Sequence, residues 1–303
     1  MAENMDDVVW KSLPPVPKGV KPLDHQVAGH VFGRPNGQKQ NQLGFLQNDE
    51  GQILKPIQGP IKGKREAEFY SRLFDSELAI SELIELRTFV PKYFGQWVTE
   101  EHPGCTYLIL ENITHTLKIP CIMDIKIGPI TYDKYADENK ISSEKKKSPF
   151  LEKLGFQILG IKVFSTKIKD YIKLDRYFLR ALDETAVLEK GLKVFFNLHE
   201  PFGFYLVKTF LEKLSDVQNW FYRQKKLYFI ASSLLFVYDA TVFELLNPES
   251  SSDMVMQAIR SNSNLKMIDF THVFDFETED GRDENYITGL NSLVKFMELV
   301  QKS

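Results

Sequence analysis

The chain has 303 residues, 43% hydrophobic and 26% charged, which excludes a disordered or fibrous polymer and fits one large domain or a two-lobed unit with a sizeable core. A formal net charge of −3 gives no expectation of a nucleic-acid partner, and no apolar run reaches the ~18 residues of a membrane span. The two cysteines, Cys105 and Cys121, have neither metal-site nor disulfide-framework spacing.

The N-terminal stretch, residues 1–22, is acidic and then proline-rich, with no secretory core, and reads as a flexible lead-in to a cytoplasmic or nuclear protein. From His25 to Ile57, short segments broken by glycines ("HQVAGHVFG", "NQLGFLQNDEG", "QILKPI") predict a small antiparallel sheet. Residues 64–87 have helical character, with Phe69, Tyr70, Leu73 and Phe74 on one side. Strands are expected at "TYLILEN" (106–112), "IPCIMDIKIG" (119–128) and "GFQILGIKVF" (155–164). Helices are expected at 183–198 and 204–226, the second with Val207, Phe210, Leu211, Leu214, Val217 and Phe221 at the 3.6-residue period. "LYFIASSLLFVYDA" (227–240) and "LKMIDF" (265–270) read as strands, and 285–301 as a closing helix. The stretches 137–149 and 247–264, rich in Ser, Asn and charge, read as loops or insertions.

Charge is unevenly spread. Residues 134–180 hold twelve Lys or Arg against six Asp or Glu, a local +6 in an otherwise acidic chain. That pattern fits a localised anion site, or simply a solvated basic face.

Three places could carry chemistry. In "PCIMDIKIG" (120–128), Met123, Ile125 and Ile127 alternate with Asp124 and Lys126, so a strand would aim the acid and the base at one face and anchor the other in a core. The pair is either a satisfied ion pair or the lining of a cleft where a phosphoryl group moves, Lys126 neutralising its charge and Asp124 binding a hydroxyl. In "MIDFTH" (267–272), Asp269 ends an apolar strand, as ordinary turn chemistry or as a magnesium ligand. "QILKPI" sets Lys55 in a short strand ahead of "KREAEFY". It is either a surface lysine or one that meets Glu66 or Glu68 and holds nucleotide phosphates, as in protein kinases. No P-loop, G-x-G-x-x-G, HRD, HExxH or CxxC element occurs.

Together these residues resemble the inositol polyphosphate kinase family. Its P-x-x-x-D-x-K-x-G signature is matched by Pro120, Asp124, Lys126 and Gly128, followed in family order by S-S-L-L at Ser232–Leu235 and I-D-F at Ile268–Phe270. The similarity runs from about His25 to the C-terminus and is strongest to the multikinase branch. It implies an α+β, two-lobed, protein-kinase-like fold with ATP between the lobes. The N-lobe with its hinge would span 23–112 and the C-lobe 113–303, including an inositol-binding segment at 134–150.

The resemblance further implies that Lys55 contacts phosphates, and that Glu111 and Ile113 present backbone to adenine. Asp124 would touch ribose and inositol, Lys126 the transferred phosphate and the acceptor. Asp269 would hold Mg2+ near Ser232 or Ser233. Lys62, Lys140, Lys147, Arg176 and His272 would face the substrate. Departures from the family pattern fall on that substrate side. Ser143 and Glu144 replace glutamines, Lys62 an arginine, Arg176 a glutamine of some relatives, and Phe178-Leu179 a Tyr-Gly pair. The implied activity is ATP- and Mg2+-dependent phosphorylation of inositol tris- and tetrakisphosphates by a monomer not inserted in a membrane. Inositol trisphosphate 3-kinase, inositol hexakisphosphate kinase, a phosphoinositide headgroup as acceptor, and a non-catalytic scaffold stand as alternatives.

Overall fold

A computed structural model describes residues 14–27, 32, 35–36, 39–41, 43–57, 63–245 and 250–302. The strands are β1 (Val20–Pro22), β2 (Pro35–Asn36), β3 (Lys39–Asn41), β4 (Leu46–Asn48), β5 (Ile53–Pro56), β6 (Tyr93–Val98) and β7 (Thr106–Leu110), then β8 (Pro120–Ile127), β9 (Phe156–Ser165), β10 (Asp170–Leu174), β11 (Leu227–Phe229), β12 (Ser233–Asp239), β13 (Ser263–Ile268) and β14 (Val273–Asp275). They form two five-stranded antiparallel sheets, β1-β4-β5-β7-β6 and β10-β9-β8-β12-β13, with the short pairs β2-β3 and β11-β14 beside them.

Alternation explains the first sheet. Along β5, Leu54 is buried with Leu43, Leu46, Cys105 and Tyr107 in a small core, which turns Lys55 to the opposite face. The second sheet has the signature strand at its centre. Met123, Ile125 and Ile127 are fully buried in the large core with Leu206, Phe210 and Leu214 of helix Gly203–Arg223 and Leu290 and Leu293 of helix Glu284–Lys302. Those helices meet through the stacked rings of Phe221 and Tyr286, centroids 4.2 Å apart.

Pro120 opens β8, where a missing N–H costs least. Gly128 closes it at φ +100°, and a Cβ there would lie 2.4 Å from Asn285 Nδ2. The Asn285 side chain clamps the next loop by bonding both the N–H and the C=O of Ile130.

Several elements differ from expectation. The 64–87 helix is two, α1 (Lys64–Leu73) and α2 (Ser81–Leu86). The 183–198 helix is built of Glu184–Ala186, a wide π-type turn Val187–Leu192 and Lys193–Phe195. The apolar run 227–240 is two strands, because Ala231 between them adopts φ +59° and turns the chain. The expected loops contain helices: α3 (Glu138–Lys147) in 137–149, and Ser252–Ser261 in the described part of 247–264. Asp137 and Ser251 cap them by accepting the N–H of Lys140 and of Met254. Within the acidic run 275–284, Asp283 is buried and accepts the N–H of Phe229 and of Tyr286. The expected lead-in lies outside the described residues up to residue 13, and its end forms β1. Both cysteines are free and buried. Among the described residues, no helix is long and apolar enough to cross a membrane.

Candidate functional site

Three segments far apart in the chain meet at Lys55. Its ammonium donates to Glu66 Oε1 at 2.7 Å and to Asp269 Oδ1 at 2.6 Å. The same Glu66 oxygen accepts the N–H of Phe270 at 3.1 Å, so one carboxylate ties α1 to the I-D-F turn. Of the two glutamates open at the sequence level, Glu66 is the partner because it shares the buried face of α1 with Ala67, Tyr70 and Leu73. Glu68 lies on the exposed face near Lys64, 3.6 Å away. Burial opposes the Lys55 charge, but Asp269 and then Glu66 outweigh it and hold the pKa above its ordinary value.

Asp269 occupies the left-handed region, φ +64°, a conformation that costs a non-glycine residue about 1 kcal/mol. Phe270 offsets it. Fully buried, it sits against Phe69 at 4.5 Å and Tyr70 at 5.5 Å between ring centroids. The aromatic anchor and the Glu66 bond together point Asp269 back at Lys55.

β8 supplies the other half. Asp124 is buried, with Gly160 of β9 and Leu235 of β12 as its cross-strand neighbours. Its Oδ1 has no hydrogen-bond partner, and neither do the buried hydroxyls of Ser232 and Ser233. Ser233 stands beside the Asp124 carboxylate without bonding that oxygen in normal geometry. Burial, then the negative charge of Asp269, pushes the Asp124 pKa up to about 7, against the pull of Ser233, Lys126 and Lys55. Lys126 is half-buried, and among the described residues no acceptor stands within hydrogen-bond distance of its ammonium. Burial lowers its pKa, opposed by Asp269, Asp124 and Glu144. Asp124, Lys126 and Asp269 therefore share one electric field. Of the two alternatives open for Asp124 and Lys126 at the sequence level, the satisfied ion pair between them is not formed.

Buried oxygens without donors beside a second carboxylate suit a hard cation. Asp124 Oδ1, Asp269 and the Ser233 hydroxyl fit Mg2+, which prefers one or two carboxylates with phosphate oxygens completing its shell, whereas Ser232, expected there as well, lies beside the Tyr286 hydroxyl on the other face of the strand. Among the described residues no group of three His, Cys, Asp or Glu could hold a metal by itself.

At the hinge, the Glu111 N–H donates to the Lys92 carbonyl, and the Glu111 side chain accepts the Lys92 N–H. That leaves the Glu111 carbonyl and the Ile113 N–H without backbone partners among the described residues.

The expected substrate residues have polar partners within the fold. Lys140 and Lys147 both donate to Glu144 Oε1, at 2.7 and 3.0 Å. Arg176 reaches the Tyr177 hydroxyl at 3.2 Å and its ring at 5.1 Å. His272 Nδ1 lies 2.8 Å from Asp133 Oδ2, which also faces Arg65 at 3.5 Å. Lys62 lies outside the described residues. Sequence reasoning overlooked Asp133, Arg65 and Arg180. Arg180 acts electrostatically on Lys126 and Glu144, and its Nε is buried without a partner. The only sequence signal for these three was their place in or near charged segments.

The family model for inositol polyphosphate kinase matches residues 107–298. The rat inositol polyphosphate multikinase is 39% identical over 235 residues, covering 75% of this chain and 57% of the rat protein. The chain thus spans little more than half the length of that relative. Inositol polyphosphate multikinase alpha of Arabidopsis thaliana is 27% identical over 299 residues, 94% of this chain and 97% of that protein. A crystal structure of the S. cerevisiae inositol phosphate multikinase in complex with ADP and Mn2+ superposes with a TM-score of 0.61 at 27% identity, covering 78% of this chain and 95% of that one. The two-lobed α+β fold expected from the resemblance is therefore present.

Proposed function

The chain belongs to the inositol polyphosphate kinase family, and from that premise we propose that it transfers the γ-phosphoryl group of ATP, with Mg2+, to hydroxyls of inositol tris- and tetrakisphosphates. The observation that carries this reading is the convergence of Lys55, Glu66 and Asp269 on one side of the Asp124–Lys126 face. On it, 23–112 form the nucleotide-covering lobe with the hinge, and 113–303 the lobe that holds the acceptor.

Each residue's role follows from its surroundings. Lys55, kept charged by two carboxylates, binds the nucleotide phosphates. The Glu111 carbonyl and Ile113 N–H, without backbone partners among the described residues, are an acceptor and a donor for an adenine edge. Mg2+, if held by Asp269 with Asp124 and Ser233 beside it, would supply charge neutralisation of the phosphate chain. Asp124, with an unbonded oxygen, accepts the acceptor hydroxyl and orients it. Lys126, an ammonium with no hydrogen-bond partner among the described residues, neutralises the charge that spreads over the transferring group. The basic side chains of 134–150, with Arg176 and His272, hold the phosphates that do not react.

The test is incubation with ATP, Mg2+ and a panel of inositol phosphates carrying three to six phosphates, with products resolved by chromatography. New isomers with one phosphate more, from the tris- and tetrakisphosphates, are expected. Nucleotide binding with no transfer to any member of the panel would refute the reading and leave the scaffold alternative.

A further inference from the structure

Two lysines bond one carboxylate, and two further cations from other elements lie within its field. Lys140 and Lys147 lie four residues before and three after Glu144 on α3, so all three share a helix face. Both lysines donate to the same oxygen, Glu144 Oε1. Lys126 of β8 and Arg180 of the short helix Arg176–Arg180 feel the Glu144 charge as well. The carboxylate is the sunken member, its side chain 18% exposed against 46% for each lysine. Burial disfavours its charge, yet the two lysines hold its pKa down to about 2, so it is anionic at every working pH. An exposed helical ion pair would be worth a few tenths of a kcal/mol and would serve only the helix. The charge of this one also acts on the candidate catalytic lysine, and it sits in the basic segment that the proposed function assigns to substrate phosphates.

We propose that Glu144 is a specificity-determining residue, a built-in anion that reserves one corner of the acceptor site for a ring hydroxyl and disfavours a phosphate there. The inference rests on the inositol phosphate reading above and goes one step further. A carboxylate accepts hydrogen bonds and cannot donate them, so a hydroxyl beside it is bound. A phosphate beside it is repelled and must compete with it for Lys140 and Lys147. The site thereby favours the less phosphorylated inositols. A glutamine at 144 keeps the size, loses the charge and frees both lysines for a phosphate.

The test compares wild type, Glu144→Gln and Glu144→Ser, with Glu138→Gln as a control that makes the same charge change at the exposed start of α3. Inositol hexakisphosphate and an inositol trisphosphate are titrated into nucleotide-free protein by calorimetry at 0.15 M salt, and thermal unfolding checks that each variant is folded. Both Glu144 variants are expected to bind the hexakisphosphate roughly tenfold more tightly, while trisphosphate affinity changes less than threefold and Glu138→Gln changes neither. A hexakis-to-tris ratio that is unchanged, or that Glu138→Gln shifts equally, overturns the proposal even if the trisphosphate is turned over. Wild type that binds neither compound and phosphorylates neither overturns the functional reading and this inference with it.

Discussion

Replacing Asp124 with Asn tests the electrostatics of the site without any substrate. In the fold the Asp124 carboxyl holds its proton up to about pH 7, whereas a free aspartate, with a pKa of 3.8, loses it near pH 4. Between those values the native state binds more protons than the unfolded chain, so this group's contribution to stability declines as pH rises and levels off above 7. A shift of about three pH units at ~1.4 kcal/mol per unit sets the size at about 4 kcal/mol. Asparagine does not titrate and keeps the shape. Urea unfolding of both proteins, with chelator present and at steps from pH 5 to 8, isolates the difference. Wild type is expected to lose about 2–3 kcal/mol relative to Asp124→Asn across that range, most of it before pH 7. Parallel stability curves would mean that Asp124 is solvated or neutralised in the fold, and the account of a buried carboxylate facing Asp269 would fail. Adding Mg2+ with ADP should stabilise both proteins, and wild type above pH 7 by more than the variant, which lacks the second carboxylate beside the metal.

Lys126→Ala is expected to cut phosphoryl transfer by about 10²–10⁴-fold in a steady-state assay. Its thermal midpoint should stay level or rise, since that ammonium has no bonded partner among the described residues and burial lowers its pKa. A large drop in stability would mark Lys126 as structural instead. Glu66→Gln weakens the bond to Lys55 and to the Phe270 N–H from a buried position, a loss of about 1–3 kcal/mol by denaturant titration, together with weaker nucleotide binding. Gly160→Ala would place a Cβ 2.2 Å from the Val27 carbonyl oxygen, so either the strand or the segment around His25 must move. A cost of about 1–3 kcal/mol is expected in the same titration, and an unchanged midpoint would show that Val27 does not lie on β9.

The local parts of this site were legible in the sequence. Period-two alternation put Asp124 and Lys126 on one face, and the same rule separated Lys55 from Leu54. Helical period and apolar stripe foretold the long helix at Gly203–Arg223 nearly to its ends. Where composition alone was the guide, the reading failed. α3 buries no residue and has no apolar stripe, so its Asp137 cap and its Glu- and Lys-rich turns were read as a loop although they favour a helix. The apolar stretch 227–240 hid the reversal at Ala231, because hydrophobicity does not report the sign of φ.

Position in space was decided by the tertiary structure. The Lys55 ammonium and the Asp269 carboxylate are 214 residues apart in the chain and 2.6 Å apart in the fold. Nothing local in either segment encodes that meeting, which depends on Phe270 docking against Phe69 and Tyr70 and on Glu66 facing inward from α1. The sequence alone established which side chains share a strand face and where three family motifs lie. Long-range burial then decided which of them meet, and that Glu66 and not Glu68 serves Lys55. The physical reason is that backbone geometry fixes the direction of a side chain over two to four residues, whereas its charged partner is chosen by how whole sheets and helices exclude water together.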